Sequence, residues 1–147
     1  RSDVKYVMLF DTEDERTKAI AKATLTYADL DFGQEILDRF ELVTNKHHSE
    51  FAYRIEVHYD YVKWYDEDPW VKAQMKFLKE ELNDYPHCGF AFMRLGEDDD
   101  DKETISSEEV YVTDHFSYIR TSECGRICRY HHSTGKPKPY QLCSGSC

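Results

Sequence analysis

The clearest periodicity in the chain runs through residues 51–61, where Phe51, Tyr53, Ile55, Val57, Tyr59 and Tyr61 alternate with Arg54, Glu56, His58 and Asp60. A period of two puts the apolar set on one face and the charged set on the other, which predicts a half-buried strand. Residues 5–10 (KYVMLF) predict an earlier strand, followed at once by Thr12-Glu13-Asp14-Glu15. That tetrapeptide fits a capping box, in which the Thr12 hydroxyl accepts from the N–H three residues on and the Glu15 carboxylate reaches back to the cap. A helix to about Tyr27 is expected, with Ala19, Ile20, Ala23 and Tyr27 on one face and the acids at the N-terminal end, where the helix dipole favours them.

Asp31-Phe32-Gly33 breaks that helix. Residues 36–44 read as a strand with Phe40 and Leu42 inward, or as a second short helix through Ile36, Leu37 and Phe40; residues 45–50 read as a loop. Asp66-Glu67-Asp68-Pro69 starts another helix, with Asp68 as cap and Pro69 at the first position, where its missing N–H costs nothing. Val71, Met75, Leu78 and Leu82 form its apolar stripe, flanked by Trp70 and Phe77, and residues 83–86 end it. Residues 88–95 (CGFAFMRL) are apolar enough for an interior strand, and Gly96 closes that strand and opens an acidic turn. Residues 110–112 and 116–119 suggest a final hairpin about Asp114-His115.

The order strand, helix, strand, strand, helix, strand gives an α+β fold: an antiparallel or mixed sheet with two helices on one face, in the ferredoxin-like split βαβ arrangement with an added C-terminal hairpin. Apolar residues make up 40% of the chain and aromatics 14%, enough to build a core rather than leave a disordered chain. No apolar run approaches the ~20 residues that cross a bilayer, and no charged-then-apolar segment opens the chain, so a soluble cytoplasmic protein without a membrane partner is expected.

Charge divides the chain in two. Residues 120–147 hold five basic residues, Arg120, Arg126, Arg129, Lys136 and Lys138, and the single acid Glu123; their balance of +4 leaves −14 for residues 1–119 out of a total of −10. The expected organisation is an acidic α+β domain over residues 1–119 and a basic, cysteine-rich tail or small metal-held module over residues 120–147. An acidic body favours cationic protein partners and repels nucleic acid, whereas the tail is able to touch nucleic acid or an acidic protein.

Two acidic segments stand out as candidate partner-binding residues. Glu97-Asp98-Asp99-Asp100-Asp101-Lys102-Glu103 holds the densest charge, with Glu97, Asp98, Asp99, Asp100 and Asp101 as the candidate docking residues; it reads as a solvated turn, as a docking element for a basic surface, or as a Ca²⁺ loop, although the EF-hand glycine is missing. Asp60, Asp66, Glu67 and Asp68 are interleaved with Tyr59, Tyr61, Trp64, Tyr65 and Trp70, a mixture that imitates the phosphates and bases of nucleic acid to a protein that grips it. The simpler alternative puts Tyr59 and Trp70 in the core and leaves the acids to cap a helix.

Cys124-x3-Cys128 and Cys143-x3-Cys147 are matched pairs that suit tetrahedral Zn²⁺, disulfides or free thiols, while Cys88 is expected in the core. Glycine-rich phosphate loops, G-x-S-x-G and H-E-x-x-H are absent, so catalysis is not the leading expectation; His58 beside Glu56 and Asp60 is the one general acid–base candidate.

The segment Phe90-Ala91-Phe92-Met93-Arg94-Leu95-Gly96-Glu97-Asp98 resembles a strand-to-acidic-turn motif of small accessory proteins of tailed phages. The resemblance implies a host-directed accessory protein in the host cytoplasm, commonly an inhibitor of a host enzyme. The leading expectation is a non-catalytic inhibitor whose acidic surface occupies a basic, nucleic-acid-handling site on a partner. The alternatives are a zinc-binding adaptor acting through its basic tail and a small enzyme using His58, Glu56 and Asp60.

Overall fold

The computed structural model describes residues 1–46, 50–84, 88–108 and 110–116. Strand β1 (Ser2–Phe10) leads through the Thr12 cap into helix α1 (Glu13–Tyr27) and the short helix α2 (Gly33–Asp38). Strands β2 (Glu41–Thr44) and β3 (Tyr53–Val62) follow, then helix α3 (Pro69–Lys79), a 3-10 turn (Glu81–Asp84), strands β4 (Cys88–Leu95) and β5 (Lys102–Ser106), and the single turn α4 (Val112–His115). The sheet order is β2-β3-β1-β4-β5 with every pair antiparallel. The fold is α+β, and its first four strands have the ferredoxin-like order with β5 added at one edge.

Local chemistry explains most boundaries. Glu15 N–H donates to Thr12 Oγ1 at 3.1 Å, and the Thr12 hydroxyl donates to Glu15 Oε1 at 2.9 Å, so the box closes through the two side chains. Pro69 opens α3 as expected, but Asp68 marks the cap by backbone alone: its side chain takes no cap hydrogen bond. Residues 36–44 divide between the two readings, helix to Asp38 and strand from Glu41. Leu42 does not turn inward; it lies on the edge strand and is 54% exposed.

The helices cover one face of the sheet. Val4, Tyr6, Met8 and Phe10 of β1, Ile55, Val57 and Tyr59 of β3, and Phe90 and Phe92 of β4 pack there against Ala19, Ala23 and Tyr27 of α1, Ile36 of α2, and Val71, Phe77 and Leu78 of α3. One polar side chain enters this core. Gln74 is fully buried, accepts from the Tyr6 and Tyr59 hydroxyls at 2.5 and 3.2 Å, and donates to Trp70 O at 3.2 Å, so its amide is satisfied.

Residues 112–115, where the expected C-terminal hairpin would turn, form the helical turn α4, and residues 117–119 of that expectation lie outside the described residues. A hairpin joins β4 to β5 across the acidic turn, while Val110 and Phe116 pack on the outer sheet face against Val7, Leu9, Ala91 and Met93. Gly89 permits this crossing, because a Cβ there would press into Ser107 and Val110. Phe51 belongs to the same outer cluster rather than to the Tyr53 face, at φ 54° with its N–H on Asp11 Oδ1. Tyr61 also leaves its expected face. Ser2 pairs with Val62 but Val4 with Tyr59, so a bulge turns Tyr61 outward at φ 51°, and Asp3 Oδ1 accepts its N–H at 2.7 Å.

Candidate functional site

Strands β3 and β4 both run antiparallel to β1 and flank it, so the chain leaves both at the same end of the sheet, beside Ser2. One exit is the loop to α3 that carries Asp66 and Glu67; the other is the β4–β5 turn that carries Glu97, Asp98 and Asp101. They enclose a cleft of about 420 Å³ lined by these five acids, Glu103 of β5, Trp64, Tyr65, Ser2 and two arginines, Arg1 and Arg94. The two acidic segments are thus brought to one place, 30 residues apart in sequence though they are.

Arg94 organises one side of the cleft. It is the last polar residue of an apolar strand, its side chain is 18% exposed, and it donates to Asp101 Oδ1 at 2.7 Å, Glu103 Oε2 at 3.4 Å and Ser2 Oγ at 3.2 Å. The hydrogen bond to Asp101, ahead of the opposing cost of burial, holds the Arg94 guanidinium above its ordinary pKa. The turn itself is tight. Gly96 N–H donates to Asp101 O at 2.7 Å and Asp101 N–H to Asp98 O at 3.0 Å, and a side chain at Gly96 would overlap that of Asp101. On the other side the Arg1 amine is 3.2 Å from Glu97 Oε1.

Six carboxylates therefore line the cleft against the two guanidinium groups of Arg1 and Arg94. Asp66, Glu67, Glu97, Asp98 and Asp101 are exposed to solvent, so the excess negative potential is presented outward. Of the remaining expected site residues, Asp68, Asp99 and Asp100 do not line the cleft. Trp64 does, but as a buried part of its wall at 6% exposure, with its ring 5.9 Å from Phe92 and 5.7 Å from Tyr59. Tyr59 belongs to the core, as the simpler alternative has it, and Trp70 is half-buried beside it. Glu103 ends the dense charge block, and Arg94 is the cleft residue that the reading of charge blocks missed; a lone arginine near the end of an apolar strand was the available signal.

The general acid–base candidates stand elsewhere, on the outer face of β3. His58 Nε2 is 2.7 Å from Asp60 Oδ1, and His58 and Glu56 open on a depression of about 520 Å³ with Lys5, Asp38, Arg39, Phe40 and Glu41. Burial pushes the Glu56 carboxyl above its ordinary pKa, partly opposed by Lys5 and Arg54 and reinforced by Glu41. Cys88 is half-buried beside the core, its thiol donates to Leu82 O at 2.9 Å, and burial pushes it up to about 11, which leaves it unreactive at neutral pH.

Among the described residues no group of three or more His, Cys, Asp or Glu is placed to hold a metal ion. Cys124, Cys128, Cys143 and Cys147, with the zinc expected of them and the domain division at residue 120, lie outside the described residues. No helix among the described residues is long and apolar enough to cross a membrane. No family model, curated protein or solved structure matches the chain, so the site is read from its own geometry.

Proposed function

We propose that the protein is a non-catalytic interaction module that presents the acidic cleft to a basic surface on a protein partner, and that it acts as an inhibitor where that surface otherwise grips nucleic acid. The observation that carries this reading is the convergence of two sequence-distant acidic segments on one cleft lined by six acidic and two basic side chains. Folding does not require such an excess, because like charges at an exposed rim repel one another and bring no packing. A Lys- or Arg-rich surface fits it, since the same groups that contact phosphates would contact these carboxylates. The likeness of residues 90–98 to phage accessory proteins points in the same direction.

The test is fluorescence anisotropy with a labelled peptide rich in arginine and lysine, at low and high salt. Binding should weaken steeply with salt, because exposed pairs are screened over ~8 Å at physiological ionic strength. The variant Asp66→Lys/Glu67→Lys/Asp98→Lys should bind about 100-fold less tightly, as three attractive contacts become repulsive. Equal affinity of the variant and the parent protein would refute the reading.

A further inference from the structure

The acidic cleft shares an aromatic wall with a second concavity. Trp64 lines the cleft, while Trp70 and Tyr59 line a groove of about 520 Å³ between α2 and the end of β3. The Trp64 and Trp70 rings meet edge to face with centroids 5.1 Å apart, and Tyr59 lies 5.3 Å from Trp70. Phe32, Ile36 and Val62 complete the apolar lining of the groove. Its polar lining is Glu35, Asp38 and Arg39. Arg39 is already engaged, with its guanidinium 4.9 Å from the centre of the Tyr59 ring and a donated hydrogen bond to His58 O at 3.3 Å. Glu35 and Asp38 are exposed, so the groove has an apolar interior and an acidic rim.

Resting on the acidic-cleft reading, we infer that the cleft and the groove form one bipartite docking surface for a basic protein segment, whose Lys or Arg side chains enter the cleft while an apolar side chain nearby enters the groove. Charge complementarity selects this occupant. Both concavities carry carboxylates at their openings, which repel the phosphates of DNA, RNA and acidic lipid surfaces and attract cations. The groove supplies what the cleft lacks: exposed ion pairs give little affinity each, whereas burial of one leucine-sized side chain improves binding about tenfold or more. The two contacts are joined by the ligand backbone, so the second forms at high effective concentration once the first is made.

The experiment compares labelled peptides that share one arginine–lysine cluster and differ in a single leucine placed progressively further from it, with an all-glycine spacer as control. The full-length protein should bind one spacing about tenfold more tightly than the control. The gain should disappear in Phe32→Ala and in Val62→Lys, at partly exposed positions, while salt-dependent binding of the control peptide persists. If the control binds and no leucine improves it, or if the gain survives both substitutions, the bipartite surface is overturned and the acidic cleft stands. If no peptide binds at low salt, the cleft reading falls and this inference falls with it. Tighter binding by full-length protein carrying Lys136→Gln and Lys138→Gln would assign the surface to the chain's own basic segment instead. Binding of a labelled DNA duplex that the peptides displace would assign it to nucleic acid and likewise overturn the proposal.

Discussion

On the outer face of β3, Arg54, Glu56, His58 and Asp60 alternate basic and acidic residue types along the strand, with Lys5 of β1 opposite His58. At the end of the sheet, six carboxylates meet two guanidinium groups. Both regions are strongly charged, but the cations Lys5 and Arg54 of the first are withdrawn from water, at 4% and 2% exposed, and the second lies open to it. Burial makes an unbalanced charge costly, so a buried set needs opposite charges close by. An exposed rim has no such requirement, and an imbalance retained there points to something outside the chain. Charge density alone would have ranked the two regions alike.

Breaking the contrast should give effects in a definite order. Reversing Asp66, Glu67 and Asp98 is expected to weaken peptide binding about 100-fold with a stability change within about 0.5 kcal/mol, read as an unchanged melting temperature. Lys5→Met should do the opposite. It removes a buried cation whose charge favours the ionised Glu56 carboxylate, and it is expected to cost about 2 kcal/mol in urea unfolding while leaving peptide affinity intact. Arg94→Met should sharpen the contrast, because Asp101 and Glu103 lose their cation. The cleft becomes more negative, and the basic peptide should bind roughly threefold more tightly at low salt.

The smallest effect concerns Glu56. Its pKa is raised in the fold, mainly by burial, so the folded state holds this proton more tightly than the unfolded chain does. Its contribution to stability is therefore complete below the unfolded pKa and is lost as pH rises through the folded value. Glu56→Gln should raise the melting temperature by roughly 1–3 °C at neutral pH, with the gain vanishing under acid conditions. An unchanged pH profile would show that Lys5 and Arg54 fully offset the burial of this carboxylate.

The sequence disclosed those elements whose residues serve a single environment. Strand β4 was legible to the residue because both of its faces are buried and it reads as a continuous apolar run. Helix α1 was legible from its capping box, and α3 from Asp-Pro at its start. Strand β5, with sequence KETIS, was not, since an edge strand is mostly wet and its alternation shrinks to Glu103 and Ile105. The apolar residues near Val110 and Phe116 suggested a hairpin because they are strand formers, but they serve as cover for the outer face. Buried polar residues were equally hidden. Arg16 reads as a solvated helix position, yet it donates to Val43 O, Thr44 Oγ1 and Arg54 O, and Gln74 reads as a gap in the α3 stripe. Both acidic segments were visible separately. Their meeting follows from strand direction, which no local pattern records.

The bulge at Tyr61 sets the reading frame of everything beyond it. Up to Tyr59, odd-numbered residues of β3 face the helices; after one extra residue the even-numbered Val62 and Trp64 do so, and they help to wall the groove and the cleft. The two concavities thus depend on a count of residues more than on the identity of the residue counted. Tyr61 is half-exposed in a left-handed conformation, so glycine would suit that position as well or better. Deleting it is another matter. The loss of one codon would return Val62 and Trp64 to the opposite parity and dismantle both walls, in a protein that accepts exchange of the same residue.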